Sequence, residues 1–158
     1  MTYNVKIGYL DGVKNATADI VKKDIEDLGV KSVKNVRVIQ LYLIDAEISS
    51  QQLEAVCVKL LSDSVVQWYK ASEEKNTAGK KEGPGPCGHA IEVFLKKGVT
   101  DAVGDSVRIG INDLGISNVH SVRTGVRYEL EGEVTAEALE KIAQSLLANK
   151  VIQEYKII

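Results

Sequence analysis

Gly83-Pro84-Gly85-Pro86-Cys87-Gly88 matches the dinucleotide-binding pattern G-x-G-x-x-G letter for letter. The chemistry does not follow. A phosphate cradle needs backbone N–H donors in a turn between a strand and a helix, whereas here two prolines remove donors and a strand pattern follows. His89 and His120 stand in no metal-ligand spacing and read as surface or strand-end residues. Cys57 lies in an apolar helical pattern and reads as a small core residue, Cys87 as an exposed thiol, and the pair makes neither a disulfide framework nor a C-x-x-C site. Glu129, Glu131 and Glu133 recur every second residue beside Arg127, so they share one strand face, which reads first as a solvated surface. No nucleophile with a base, metal cluster or phosphate loop emerges. The residues point to a binding or structural role, with no catalytic residue, metal or cofactor expected.

The elements that carry these residues are written twice. With an offset of 86, Tyr3 to Ala71 lies over His89 to Ile157 without a gap and with 22 identities in 69 pairs. About four or five would arise by chance. The identities include Gly12 with Gly98, Asp27-Leu28-Gly29 with Asp113-Leu114-Gly115, Val36-Arg37 with Val122-Arg123, and Tyr69-Lys70 with Tyr155-Lys156. His89 and His120 are answered by Tyr3 and Lys34, and Cys57 by Ala143, which weakens any shared chemistry for them. The organisation expected is a first unit over 1–71, a solvated linker over 72–88 holding both prolines, and a second unit over 89–158.

Each unit reads β-α-β(β)-α-β. Val5, Ile7 and Tyr9, answered by Ile91, Val93 and Leu95, alternate as a strand. Val21, Ile25 and Leu28, answered by Val107, Ile111 and Leu114, give a helical stripe that Gly29 and Gly115 stop. The stretches 33–47 and 119–133 are β-rich, as one long bent strand or two. A second helix starts at Ser49 or Ser50, with Gln52 completing a capping box, and at Thr135 in the other copy. Last strands are expected over Val65 to Lys70 and Val151 to Ile157. This is an α+β fold: two tandem ferredoxin-like units, helices on one face of mainly antiparallel sheets. Units of about 70 residues bury little alone, so an intramolecular pseudo-dimer is expected, and pairing of two chains into a homodimer stays open.

Glu129 and Arg127 fall opposite Leu43 and Leu41 in the first unit, so a face charged in one copy is half apolar in the other. Leu41 and Leu43 are therefore expected to dock against the other unit or a partner protein. The chain carries 20 basic and 22 acidic residues, spread out, which argues against nucleic acid as ligand. It holds no apolar run of membrane-spanning length and no signal-peptide order, so a soluble cytoplasmic protein is expected.

The second copy resembles the PurS family, the small subunit of phosphoribosylformylglycinamidine synthase. The likeness rests on Phe94-Leu95-Lys96-Lys97-Gly98-Val99-Thr100-Asp101, Gly104, Leu114-Gly115, Val119, Val122-Arg123, Gly125, Glu129-Leu130 and Leu146-Leu147-Ala148-Asn149-Lys150-Val151-Ile152-Gln153-Glu154-Tyr155. The first copy follows more weakly, with Asp11, Asn15, Ala18 and Asp63 at the places of Lys97, Asp101, Gly104 and Asn149. The resemblance implies a non-catalytic subunit of an ATP-dependent amidotransferase in purine biosynthesis. Such a subunit joins a synthetase and a glutaminase so that ammonia passes between them enclosed, and two repeats would make a PurS dimer from one polypeptide. Partner-interface candidates are then Lys96, Lys97, Asp101, Arg123, Asn149 and Tyr155, the first-copy Arg37, and the docking pair Leu41 and Leu43. A second reading is a paired ferredoxin-like regulatory protein that binds a small molecule; a third is an enzyme using the Glu129-Glu131-Glu133 face.

Overall fold

A computed structural model describes residues 1–74 and 88–158. The G-x-G-x-x-G run up to Cys87, and most of the expected linker, lie outside the described residues. In chain order the elements are β1 (Thr2–Tyr9), α1 (Ala16–Asp27), β2 (Val33–Ala46), α2 (Ser50–Val56), β3 (Gln67–Glu74), β4 (Gly88–Leu95), α3 (Ala102–Asp113), β5 (Val119–Gly132), α4 (Ala136–Ile142) and β6 (Gln153–Ile157). The middle of each repeat is one strand of 14 residues, which settles the alternative left open by sequence.

Local chemistry sets the boundaries. Asn15 caps α1 by accepting from the Ala18 N–H at 3.2 Å, and Gly29, at φ 98°, takes the left-handed turn that ends it. Ser49 and Gln52 form the full capping box of α2, each side chain accepting from the other's backbone N–H, at 3.2 and 3.0 Å. Both second helices close in a π-helical turn, Cys57–Leu61 and Ala143–Leu147, which no local sequence signal announced. The last strands begin later than expected. Asp63 and Asn149 hold Val65 and Val151 in turns by accepting from their N–H groups at 3.0 and 3.1 Å. Ser72–Glu74, expected in the linker, continue β3 because Asn4, Tyr3 and Thr2 of β1 pair with them.

The strands hydrogen-bond in the order β3-β1-β2-β5-β4-β6, with β1 antiparallel to β2 and β3, and β4 antiparallel to β5 and β6. The chain divides into two compact bodies, and they are not the two repeats. The first body holds Met1–Val13, 40–74 and Thr100–Thr124; the second holds Lys14–Ile39, 88–99 and Gly125–Ile158. Thus α3, from the second repeat, belongs with β1 and β3, and α1, from the first repeat, belongs with β4 and β6.

Each core confirms the exchange. In the first body Ile111, Ile116, Val119 and Val122 of the second repeat pack with Tyr3, Val5, Ile7, Ile44, Leu53, Val56 and Cys57 of the first. In the second body Ala18, Val21 and Ile25 of α1 pack with Ile91, Val93, Leu130, Leu139 and Ile142. Burying a side chain such as Ile25 or Ile111, both fully buried, is worth about 1.5–3 kcal/mol. Alternation along the strands leaves a helix-free face of opposite parity, carrying Lys6, Leu41 and Leu43 in the first body and Glu92, Arg127 and Glu129 in the second.

Candidate functional site

Asp101, Arg123, Leu41 and Leu43 fall in the first body; Lys96, Lys97, Asn149, Tyr155 and Arg37 fall in the second. Asp101 is the N-cap of α3. Its Oδ1 accepts from the Gly104 N–H at 2.8 Å and its Oδ2 from the Thr124 N–H at 2.7 Å, while the Thr124 hydroxyl bonds the same carboxylate at 2.9 and 3.0 Å. The carboxylate ties helix to strand. Gly104 completes the joint, since a Cβ there would lie 2.2 Å from the Val122 carbonyl oxygen. Leu41, expected on a docking surface, is only 1% exposed and so presents nothing to a partner protein; Leu43 is half-buried. Leu41 lies on β2, which has β1 on one side and β5 on the other, so it is not at a sheet edge open to a partner strand.

In the second body two neighbouring turns bring candidates together. The Lys96 N–H donates to the Ile152 carbonyl at 2.8 Å, joining the turn after β4 to the turn before β6. Lys96, Lys97, Asn149 and Lys150 are all exposed there, beside Val151 at 80% exposure. The first body repeats this tip through the Leu10 N–H and the Val66 carbonyl at 2.9 Å. Its side chains differ: Leu10, Asp11, Asp63 and Ser64 replace Lys96, Lys97, Asn149 and Lys150, while Val65 keeps the exposed apolar residue at 79%. One tip is basic, the other acidic and apolar.

Tyr155 belongs to a surface network that the sequence reading missed. Its hydroxyl donates to Glu140 Oε2 at 2.5 Å and accepts from Gln144 Nε2 at 2.9 Å, and Lys150 Nζ donates to Gln144 Oε1 at 3.0 Å. The hydrogen bond to Glu140 is the main cause that raises the Tyr155 phenol above its ordinary value. Glu140 and Gln144, four apart on one helical face, were the available signal.

Of the evenly spaced charges expected on a solvated face, only half are solvated. Glu131 and Glu133 are exposed, but Arg127 and Glu129 are buried, at 2% and 5% exposure. Arg127 Nε reaches Glu129 Oε2 at 3.2 Å and its Nη1 reaches Glu92 Oε1 at 3.0 Å, with Arg37 Nη1 4.0 Å from Glu129 Oε1. Partners on β4 and β2 make burial tolerable, and alternation within β5 alone could not reveal them. Cys57 is buried as expected, and desolvation, then the Glu54 charge, pushes its thiol up to about 11. Among the described residues, no group of three or more His, Cys, Asp or Glu could hold a metal ion. No helix is long and apolar enough to cross a membrane, among the same residues.

Two bodies of four-stranded sheet and paired helices, each drawn from both repeats, define a duplicated α+β protein of ferredoxin-like type. The family model PurS, phosphoribosylformylglycinamidine (FGAM) synthase, matches residues 2–75 and 89–158. The chain belongs to the PurS family. Its relatives include the phosphoribosylformylglycinamidine synthase subunit PurS of Mycobacterium leprae, 36% identical over 69 residues that make up 42% of this chain and 87% of that protein. The same subunit of Methanocaldococcus jannaschii is 38% identical over 72 residues, again 42% and 87%. Among solved structures, M. jannaschii PurS, described as a subunit of formylglycinamide ribonucleotide amidotransferase in purine biosynthesis, is 31% identical with a TM-score of 0.36, covering 44% of this chain and 90% of that one. Each match has the length of one repeat.

Proposed function

We propose that this chain serves as the PurS-type assembly subunit of FGAM synthase in purine biosynthesis, bridging the synthetase and glutaminase subunits of an ATP-dependent amidotransferase in the cytoplasm. Membership of a family of FGAM synthase subunits supports the pathway. The observation that carries the bridging role is the pair of like-built tips with unlike side chains, Lys96, Lys97 and Lys150 on one and Leu10, Asp11 and Asp63 on the other. One scaffold presented twice with opposite charge suits two different partners.

The chemistry gives such a bridge its purpose. Ammonia released by the glutaminase is protonated or diluted once it meets bulk water, so a closed assembly raises its effective concentration at the synthetase. The two substrates separate binding from chemistry. Mixed with cognate synthetase and glutaminase, this chain should be required for glutamine-driven FGAM formation and nearly irrelevant to formation driven by added ammonium salt. Lys96→Glu with Lys97→Glu should weaken co-elution with one partner and spare the other. Glutamine-driven activity that is the same with and without the chain would refute the proposal.

A further inference from the structure

We propose that the outward face of α3 in the first body pairs two copies of this chain, helix against antiparallel helix. Ala102, Ser106, Ile109 and Asp113 are all exposed and recur at spacings of four, three and four, so they form one seam along α3, opposite the buried Gly104 and Ile111. Ile109 within the seam and Val103 beside it are large apolar side chains left 57% and 58% exposed. The seam is its own complement. Laid antiparallel on a second copy about a two-fold axis between Val107 and Arg108, Ile109 meets Ser106, Ala102 meets Asp113, and Val103 meets Gly110. Gly110 offers a hollow walled by Leu60 of the π-helical turn, since a Cβ added at Gly110 would lie 3.0 Å from the Leu60 side chain.

Charge complementarity selects a second copy as the occupant. In this register Asp113 lands at the N-terminal end of the opposing helix, where a negative charge is favourable, and Asp105 faces Asn112 instead of another carboxylate. The equivalent helix of the second body, α1, carries the opposite instruction. Two copies of α1 in the same register would set Asp19 against Glu26 and Lys23 against Ile20, and α3 against α1 would set Asp105 against Glu26. Pairing therefore closes as a two-fold dimer through α3 and does not propagate through α1. Two helices of 12 residues, each about 18 Å long, fill less than the roughly 1,200–2,000 Å² of a stable interface, which puts the dissociation constant at about 10–100 μM.

Sedimentation velocity on the full chain, from about 1 μM to about 500 μM, reads the pairing directly. Wild type should pass from monomer to dimer and stop there. Ile109→Lys, which installs the residue type that α1 has at Lys23, should weaken the dimer by about tenfold or more. Asn112→Lys, facing Asp105 of the other copy, should tighten it about fivefold at low salt, and Asn112→Asp should weaken it by about as much. Ile20→Lys, at a position of α1 that is 61% exposed, should leave it unchanged. All of these positions are exposed, so the melting temperature of dilute protein should stay near wild type. A chain that is monomeric throughout, a dimer unmoved by Ile109→Lys, two Asn112 variants that shift it in the same direction, or growth beyond a dimer would each overturn the proposal. The chain is measured alone, without synthase subunits, so the outcome is independent of the assembly role.

Discussion

Asp101 looks from sequence like a side chain for a partner, and in the structure its carboxylate is occupied by Gly104 and Thr124. Removing a cap and a half-buried acceptor together should cost Asp101→Ala about 1–3 kcal/mol in urea unfolding. An unchanged midpoint would return Asp101 to the surface candidates. Tyr155 tests the surface network. Its phenol is raised above 10.0 chiefly by the hydrogen bond to Glu140, so that bond contributes stability below about pH 10 and loses it as pH climbs through the higher folded value. In ultraviolet titration, with Tyr155→Phe as the reference, Glu140→Gln should bring the Tyr155 transition down toward 10.0; coincident curves would contradict the assignment. Buried Arg127 should be less forgiving. Arg127→Leu leaves Glu129 and Glu92 without it and should cost about 3–5 kcal/mol, whereas adding Glu129→Leu, the pair the first repeat carries as Leu41 and Leu43, should recover most of that loss. What sequence made legible at this scale was local: the Ser49 and Gln52 box and the burial of Cys57. What it missed, from the Thr124 tie to the Glu92 partner, joins residues far apart in the chain.

At the scale of elements, the repeat made nearly every helix and strand readable, since each weak pattern had a second copy to confirm it. Two features stayed hidden. The π-helical turns at Cys57–Leu61 and Ala143–Leu147 use ordinary helix formers, and only packing distinguishes them from α-helix. The packing partner of each first helix was equally invisible, because the stripe Val21, Ile25 and Leu28 is the same whichever sheet receives it. The α3 and β5 contact shows how geometry overrides propensity. Ala18 sits where the other repeat has Gly104, and alanine in a helix is favoured over glycine by about 1 kcal/mol. A Cβ at Gly104 nonetheless meets the Val122 carbonyl at 2.2 Å, so Gly104→Ala should lower stability by about 1–3 kcal/mol. A variant more stable than wild type in thermal unfolding would show that α3 can move off β5.

At the scale of the molecule, exchange of the first helices re-sorts the charge. By repeat, residues 1–71 carry nine basic and nine acidic residues and 89–158 eight and ten. By body, the described residues give five basic and ten acidic in the first, twelve basic and eleven acidic in the second. Most of the imbalance that sequence assigned to the second repeat therefore belongs to the first body, through Asp101, Asp105 and Asp113. Partner selection by charge acts on bodies, so it could not be read from repeats. The covalent link between repeats gains a reason as well: neither repeat supplies both helices for its own strands. That exchange is the central claim, and hydrogen exchange by mass spectrometry on Ile25→Ala tests it most directly. Ile25 is fully buried in the core that holds Ile91 and Val93, so its truncation, at a cost of about 2–5 kcal/mol, should speed exchange in β4 and β6 of the second repeat while sparing β1 and β3. Faster exchange in β1 and β3, with β4 and β6 unchanged, would contradict the account.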